Sequence, residues 1–150
     1  MHVIVATDGS VASLAGARQF QHIADSREIT DVTVVAVVSP YAAVPFANEI
    51  TERRNTEPTD FSFQAEAAAA VDLVAGLFED WGPVIHRQVR SGSPAAEIIR
   101  AAEEADAGLI SLASGDRGLT TTILLGSTAS RVQHSAPCPV LICRPSRTGR

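Results

Sequence analysis

The 150-residue chain contains no lysine, so all twelve of its basic residues are arginines. Schiff-base chemistry and phosphoryl transfer through a phosphate-loop lysine both need that side chain, and both are therefore excluded. The sequence also lacks a Gly-x-Ser-x-Gly elbow and a Cys-x-x-Cys pair. No histidine is placed by sequence to complete a catalytic triad. We therefore expect no catalytic residues and no enzymatic activity.

The chain also has a net negative charge, only two cysteines and no residue spacing typical of a metal site. The net charge is −5 and the pI is about 5.3, which argues against a nucleic-acid partner because duplex binding normally needs a basic patch. Cys138 and Cys143 on one extended segment would lie roughly 16 Å apart, beyond the about 7 Å between Cα atoms that a disulfide spans. The histidines show no ligand spacing with one another or with the cysteines; they are His2, His22, His86 and His134.

Long apolar runs are missing as well. No stretch approaches the roughly 20 residues needed to cross a bilayer, so no membrane partner is expected. The chain begins directly with a strand pattern rather than a basic segment and apolar leader, which predicts a cytoplasmic protein. The 45% hydrophobic content suits one globular domain, taken as residues 1–144. The basic tail at 145–150 contains proline and glycine and is expected to be flexible.

What the chain does contain is a fivefold alternation of apolar runs and helical patterns. The predicted strands are Val3–Thr7, Val32–Val38, Val84–Arg90, Leu109–Ala113 and Pro139–Cys143. The predicted helices are Ser10–Ala24, a stripe from Asp60 to Trp81, one starting at Ser93-Pro94, and Thr128–Ser135. This alternation predicts an α/β fold, a Rossmann-like open five-stranded parallel sheet with helices on both faces. The first and fourth strands take the centre, and the third and fifth take the edges.

The fifth strand is apolar throughout, which is unusual for a sheet edge. An uncovered apolar edge promotes aggregation. We expect Val140, Leu141, Ile142 and Cys143 to pair with the same strand of a second subunit about a two-fold axis. Coverage by the chain's own tail is the alternative. The segment 39–59 exceeds a passive loop in length, and a lid, a loop that binds a protein partner and plain disorder are all compatible with it.

Polar and glycine residues gather where the predicted strands end, which is where open α/β sheets bind ligands. Asp8 is placed to hydrogen-bond a ribose or a base edge, although Asp8 and Ser10 also suit helix capping. Backbone groups near Val37 are placed to meet an adenine edge. The fourth strand opens into a glycine-containing loop, and Gly126 then opens a helix, a pattern typical of an anion cradle. Asp116, however, puts a negative charge in that loop.

Several of these stretches together resemble the universal stress protein family over nearly the whole chain. They are Val5-Ala6-Thr7-Asp8-Gly9-Ser10, residues 33–38, residues 92–99, residues 125–132 and residues 134–144. The resemblance implies the strand order 3-2-1-4-5 and a homodimer formed through the fifth strands. It also implies one of two subtypes. One binds ATP through a Gly-x2-Gly-x9-Gly-Ser/Thr motif, and the other lacks that motif.

The chain departs from the motif. Aligned without gaps, it keeps Gly126 but places Ala113 and Asp116 where the first two glycines belong. A gapped alignment pairs Gly115 with Gly118 and leaves only seven residues before Gly126. In the gapless alignment alanine is tolerated where φ is negative and costly where φ is positive. A carboxylate 4 Å from a phosphate repels it by roughly 1–4 kcal/mol, unless a bridging Mg²⁺ makes Asp116 a ligand.

These observations predict a universal stress protein acting as a non-catalytic, stress-response regulatory homodimer. Its adenine-nucleotide site is expected to be weakened or altered, and to penalise AMP less than ATP. The alternative is an ATP-binding switch of the same family, with Mg and slow hydrolysis. A small adenylating hydrolase on a related fold is a third hypothesis. The candidate nucleotide-binding residues are Thr7, Asp8, Val37, Ala113, Gly115, Asp116, Gly118, Gly126, Ser127 and Thr128, with Asp116 as a metal ligand only if a Mg-nucleotide binds.

Overall fold

A computed structural model describes residues 1–39, 60–114 and 126–144. Strands and helices alternate along it, with a short 3₁₀ turn at Ser26–Glu28. The strands are β1 (His2–Thr7), β2 (Asp31–Val38), β3 (Val84–Ser91), β4 (Leu109–Ala113) and β5 (Val140–Cys143). The helices are α1 (Val11–Ile23), α2 (Asp60–Gly76), α3 (Pro94–Glu104) and α4 (Ser127–Ser135).

The strands form one parallel sheet in the order β3-β2-β1-β4-β5. The predicted fold class and strand order are therefore confirmed. β1 pairs with β2 on one side and with β4 on the other. The chain thus runs outward on one side of β1 through β2 and β3, and then crosses to the other side of β1 for β4 and β5. Such a reversal opens a crevice beyond the carboxyl ends of the central strands.

Two hydrophobic layers enclose the sheet. On one face, Phe20 of α1 and Val71 and Val74 of α2 pack against Val5 and Val34. On the other face, Ile98 of α3 and Val132 of α4 pack against Ile4, Val35 and Ile110. The central strands are covered on both sides, as their almost continuous apolar sequences require.

The helix predicted from the apolar stripe up to Trp81 ends earlier in the structure, at Gly76. Beyond that point the backbone forms tighter bonds of the i to i+3 type, in which Phe78 donates its N–H to Ala75 and Trp81 donates its N–H to Phe78. Both side chains still reach the core and pack around Phe20, with ring centroids 5.4–6.1 Å apart. Spacing of three or four residues fits successive turns as well as a helix, so the stripe did not reveal where the helix ends.

The apolar side chains of β5 are shared between the two layers. Leu141 packs against the α1 face, and Val140 and Ile142 pack against the α3 face. Cys143 is 3% exposed. Within the described residues β5 pairs only with β4, and residues 145–150, the other proposed cover, lie outside them. Whether a second subunit covers this edge stays a prediction.

α1 lies directly on the sheet at Gly16. A Cβ added to Gly16 would stand 2.7 Å from Cβ of Ala113 and 3.5 Å from Cβ of Cys143. Real Cβ atoms do not approach that closely, so glycine is needed here for the packing distance between α1 and β4. The position of α1 over the ends of β4 and β5 therefore depends on this missing side chain.

We expect Gly16→Ala to lower the free energy of unfolding by roughly 1–3 kcal/mol, because the overpacked α1 must move away from β4. Urea denaturation followed by circular dichroism measures the change. Gly76→Ala is the matched control, because a Cβ there meets no atom within 4 Å and should leave stability unchanged or slightly raised. Equal stability of the two variants would contradict the packing role of Gly16.

Candidate functional site

A cavity of about 370 Å³ lies beyond the carboxyl ends of β1, β2 and β4, in front of α4. It brings together seven of the ten candidate nucleotide-binding residues, which are Thr7, Asp8, Val37, Ala113, Gly126, Ser127 and Thr128. The other three, Gly115, Asp116 and Gly118, lie outside the described residues. The fold thus brings residues as far apart in sequence as Thr7 and Thr128 to the wall of the same cavity. Their binding role itself stays a prediction.

The wall of this cavity also contains residues that were not predicted. Pro94 and Ile98 of α3 line it, together with Ser10 and Ser13 of the α1 start. Ile98 was predicted only as part of the inner face of a helix, and Pro94 only as a helix start. Their place at the site follows from the packing of α3 over β1 and β2, which no local pattern indicates.

Hydrogen bonds hold the turn between β1 and α1. Gly9 has a φ of +79°, a conformation that favours glycine, and its N–H donates to Oγ1 of Thr7 at 3.1 Å. Oγ of Ser10 caps α1 by accepting the Ser13 N–H at 3.1 Å. The Asp8 carboxylate accepts the Ser10 N–H at 2.9 Å. Of the two residues that suited capping, only Ser10 caps the helix, and Asp8 lines the cavity.

The charge state of Asp8 reflects two opposing influences. Burial raises the pKa of this carboxyl, but hydrogen bonds from the side chain and backbone of Ser10 hold its pKa below the ordinary value. Asp8 is therefore ionised at neutral pH. A ligand in this cavity meets a negative charge at the end of β1.

The start of α4 has the opposite electrostatic character. Its N-cap is Gly126, which has no side chain to cap the helix, and the first intrahelical bond runs from the Ser130 N–H to the Gly126 carbonyl at 3.0 Å. The N–H groups of the first turn therefore have no intrahelical partner. Together with the helix dipole they attract anions. The cavity is thus positive at α4 and negative at Asp8.

Two of the motif positions can be judged from the backbone. Among the described residues the only non-glycine with a positive φ is Asp106, so Ala113 sits in strand conformation, where alanine for glycine is mild. Gly126 has ordinary backbone angles, with φ −53° and ψ 153°. A Cβ added to Gly126 meets no atom of the described residues within 4 Å. The backbone does not need a glycine at 126, and an added side chain would lie before the start of α4, beside the cavity.

The described part of the cavity wall contains few groups suited to binding a metal or to catalysis. Among the described residues that line the cavity, Asp8 carries the only ionisable side chain. No group of three or more metal-ligating side chains occurs in the described ranges. None of the four histidines lines this cavity, so none of the serine and threonine hydroxyls there has a histidine base beside it. The lining residues are suited to binding rather than to bond cleavage.

A second cavity, of about 510 Å³, lies on the other side of the same strand ends, against α2. It shares Thr7, Asp8 and Val37 with the first cavity. Ala67 and Ala70 of α2 contribute small side chains to its wall, and Glu66 contributes a carboxylate. The alanine-rich run of α2 was predicted only as a good helix former. The two cavities together make the end of β1 accessible from both faces of the sheet.

Comparison with known proteins identifies the family of this chain. The sequence model of the universal stress protein family matches residues 1–144. The chain belongs to the universal stress protein family. A universal stress protein of Methanocaldococcus jannaschii is 32% identical over 143 residues, covering 95% of this chain and 81% of that protein. The resemblance inferred from the motifs is confirmed.

Solved structures of the family share the fold. A universal stress protein from Archaeoglobus fulgidus superposes with a TM-score of 0.72 at 23% identity, covering 95% of this chain and 98% of the other. A universal stress protein family protein from Arabidopsis thaliana, solved with AMP bound, gives a TM-score of 0.67 at 16% identity, covering 98% and 93%. At this identity the likeness establishes the fold. In the part of the chain that the structure describes, no helix is long and apolar enough to span a membrane.

Proposed function

We propose that this universal stress protein is a non-catalytic regulatory homodimer that binds an adenine nucleotide with few phosphates. The observation that carries the proposal is the polarity of the 370 Å³ cavity, with the uncapped start of α4 at one end and the Asp8 carboxylate at the other. A nucleotide has the matching polarity, since its phosphate is anionic and its nucleoside offers hydrogen-bond donors.

This polarity favours one orientation of the nucleotide in the cavity. The phosphate belongs at Gly126, Ser127 and Thr128, where N–H groups point outward. The ribose or base belongs at Asp8, whose carboxylate accepts hydrogen bonds and repels phosphate. Val37 lies at the end of β2 and lines both cavities, so its backbone groups are placed to meet the adenine edge. The opposite orientation would set a phosphate against Asp8.

The number of phosphates follows from the charge balance. A helix start supplies about half a positive charge, and no arginine is among the described residues that line the cavity. A monophosphate fits this balance better than a triphosphate. The AMP bound to the Arabidopsis family member supports the same choice. We accordingly rank AMP above ATP for this chain.

Gly126→Val tests this placement. The variant should fold with a loss of stability of about 1 kcal/mol or less from the poorer N-cap, because the backbone angles at 126 suit any residue and the added Cβ meets no atom of the described residues within 4 Å. Its AMP affinity, measured by calorimetry, should fall at least tenfold, because the side chain occupies the phosphate position. Gly76→Val, on the far end of α2, controls for a valine placed at an exposed glycine. Undiminished AMP binding by Gly126→Val would contradict the placement.

The alternative function is an ATP-binding switch that uses Mg²⁺ and hydrolyses slowly. It depends on Asp116, which the gapless alignment puts at a motif glycine and which becomes a ligand if Mg²⁺ bridges it to the phosphates. In the proposed function the same carboxylate repels a triphosphate. The two hypotheses therefore predict opposite effects of removing this one charge.

Asp116→Gly should raise ATP affinity about tenfold or more when Mg²⁺ is absent, because a repulsion of roughly 1–4 kcal/mol is removed. Calorimetric titrations of ATP and AMP with and without Mg²⁺ measure it, and AMP serves as the less sensitive internal control. A loss of Mg²⁺-dependent ATP binding in the variant would favour the switch hypothesis. Tight ATP binding by the wild type without Mg²⁺ would refute the repulsion.

The proposed dimer uses the apolar edge strand β5. In the described part of the chain its outer edge has no partner, whereas the opposite edge strand, β3, has a largely polar sequence. Antiparallel pairing of two β5 strands would remove both apolar edges at once. The two free cysteines fit a reducing compartment such as the cytoplasm. A protein partner would then bind the homodimer according to whether it carries a nucleotide.

Leu141→Lys should convert dimers into monomers, because the new charge would be buried in the β5 interface. Size-exclusion chromatography with light scattering gives the mass, and circular dichroism verifies that the variant is folded. Val89→Lys, at a 39% exposed position on the β3 edge, is the matched control and should keep the dimer mass. A monomeric wild type, or a dimeric Leu141→Lys, would refute the β5 interface.

A further inference from the structure

Two buried hydroxyl groups stand directly behind the Asp8 turn. Thr7 is 7% exposed and Ser13 is 6% exposed, and their Oγ atoms lie 2.8 Å apart. Packing alone does not require these hydroxyl groups, because valine is similar in shape to threonine and alanine is similar in shape to serine. A buried pair of polar groups is kept at a desolvation cost, so the contacts made by this pair indicate what it contributes.

The hydrogen bonds of the pair have a determined direction. Ser13 donates its single hydroxyl proton to the Ser10 carbonyl at 2.8 Å, since a carbonyl only accepts. Thr7 must then donate its own proton to Oγ of Ser13 and uses a lone pair to accept the Gly9 N–H. Each proton is used once. The chain of bonds therefore closes around residues 8–10 and permits one arrangement.

This closed arrangement holds both sides of Asp8. The bond from Gly9 to Thr7 keeps Gly9 at its positive φ, and the bonds from Ser13 keep the Ser10 backbone in place. The Ser10 N–H then donates to the carboxylate of Asp8. The Asp8 carboxylate is thus oriented by hydrogen bonds that fix the residues on either side of it.

We infer that the buried Thr7–Ser13 hydroxyl pair orients the Asp8 carboxylate for the nucleoside, which makes Ser13 a positioning residue of the site; this rests on the proposed function. Asp8 would bind the ligand directly, and Ser13 acts through it. Without the Ser13 hydroxyl, Thr7 loses its acceptor and the turn loses one of the bonds that fix Ser10. Asp8 would then sample several orientations, of which only one suits the ligand.

Ser13→Ala in the full-length protein tests this inference, with Ser111→Ala as the matched control. Ser111 is also a buried serine, 2% exposed, whose hydroxyl lies 3.7 Å from Sγ of Cys143 and does not line the cavity. Both substitutions remove one buried hydroxyl. A merely structural role of Ser13 would therefore give the two variants the same behaviour once their folding is verified.

The first readout is the pKa of Asp8, from the pH dependence of its carboxyl carbon signal, assigned with Asp8→Asn. In Ser13→Ala this pKa should rise, because burial still raises it while the Ser10 hydrogen bonds that lower it are held less firmly. In Ser111→Ala it should stay at the wild-type value. An unchanged Asp8 pKa in Ser13→Ala overturns the inference whether or not the protein binds a nucleotide.

The second readout is AMP affinity by calorimetry. Ser13→Ala should weaken AMP binding about three- to tenfold, and Ser111→Ala should bind AMP as the wild type does. Equal affinity of Ser13→Ala and the wild type overturns the inference and leaves the proposed function standing. A wild type that binds neither AMP nor ATP overturns the proposed function, and the Asp8 pKa then still decides whether Ser13 orients the carboxylate.

Discussion

The pairing of β1 with β2 on one side and β4 on the other is the constraint on which the candidate site depends. The strands that follow β1 lie on one side of it (β2 and β3) and then on the other (β4 and β5). The end of β1 is therefore left uncovered between two groups of helices. Asp8 follows directly at this end. α4 approaches from the β4 side and Val37 from the β2 side. A different neighbour for β1 would separate residues that now line one cavity.

The two helices that begin at this crevice have different roles because their first residues differ. α1 begins at Ser10, whose hydroxyl uses one of the first N–H groups of the helix. α4 begins at Gly126, which leaves its N–H groups available. One helix start therefore helps to hold the Asp8 turn, and the other attracts an anion. The polarity of the cavity results from this difference in capping.

Gly16 links the site to the edge of the sheet. Its missing side chain lets α1 lie against Ala113 and Cys143, and the Ser114 N–H donates to the Cys143 carbonyl at 2.8 Å. The start of the loop after β4 is thus tied to the end of β5, the strand proposed to pair with a second subunit. The Ala113 side chain occupies the space next to Gly16 on the α1 side of the sheet.

The sequence by itself determined the fold class and the family, because strand and helix periodicities and local motifs are properties of neighbouring residues, and the resemblance to the family implied the strand order. It also indicated seven residues that now line one cavity. Tertiary structure decided the end of α2 at Gly76, the wall formed by Pro94 and Ile98, and the contact of Gly16 with β4. It also decided the bond between Thr7 and Ser13. These features depend on how close separate elements approach in space, and spacing along the chain does not contain those distances.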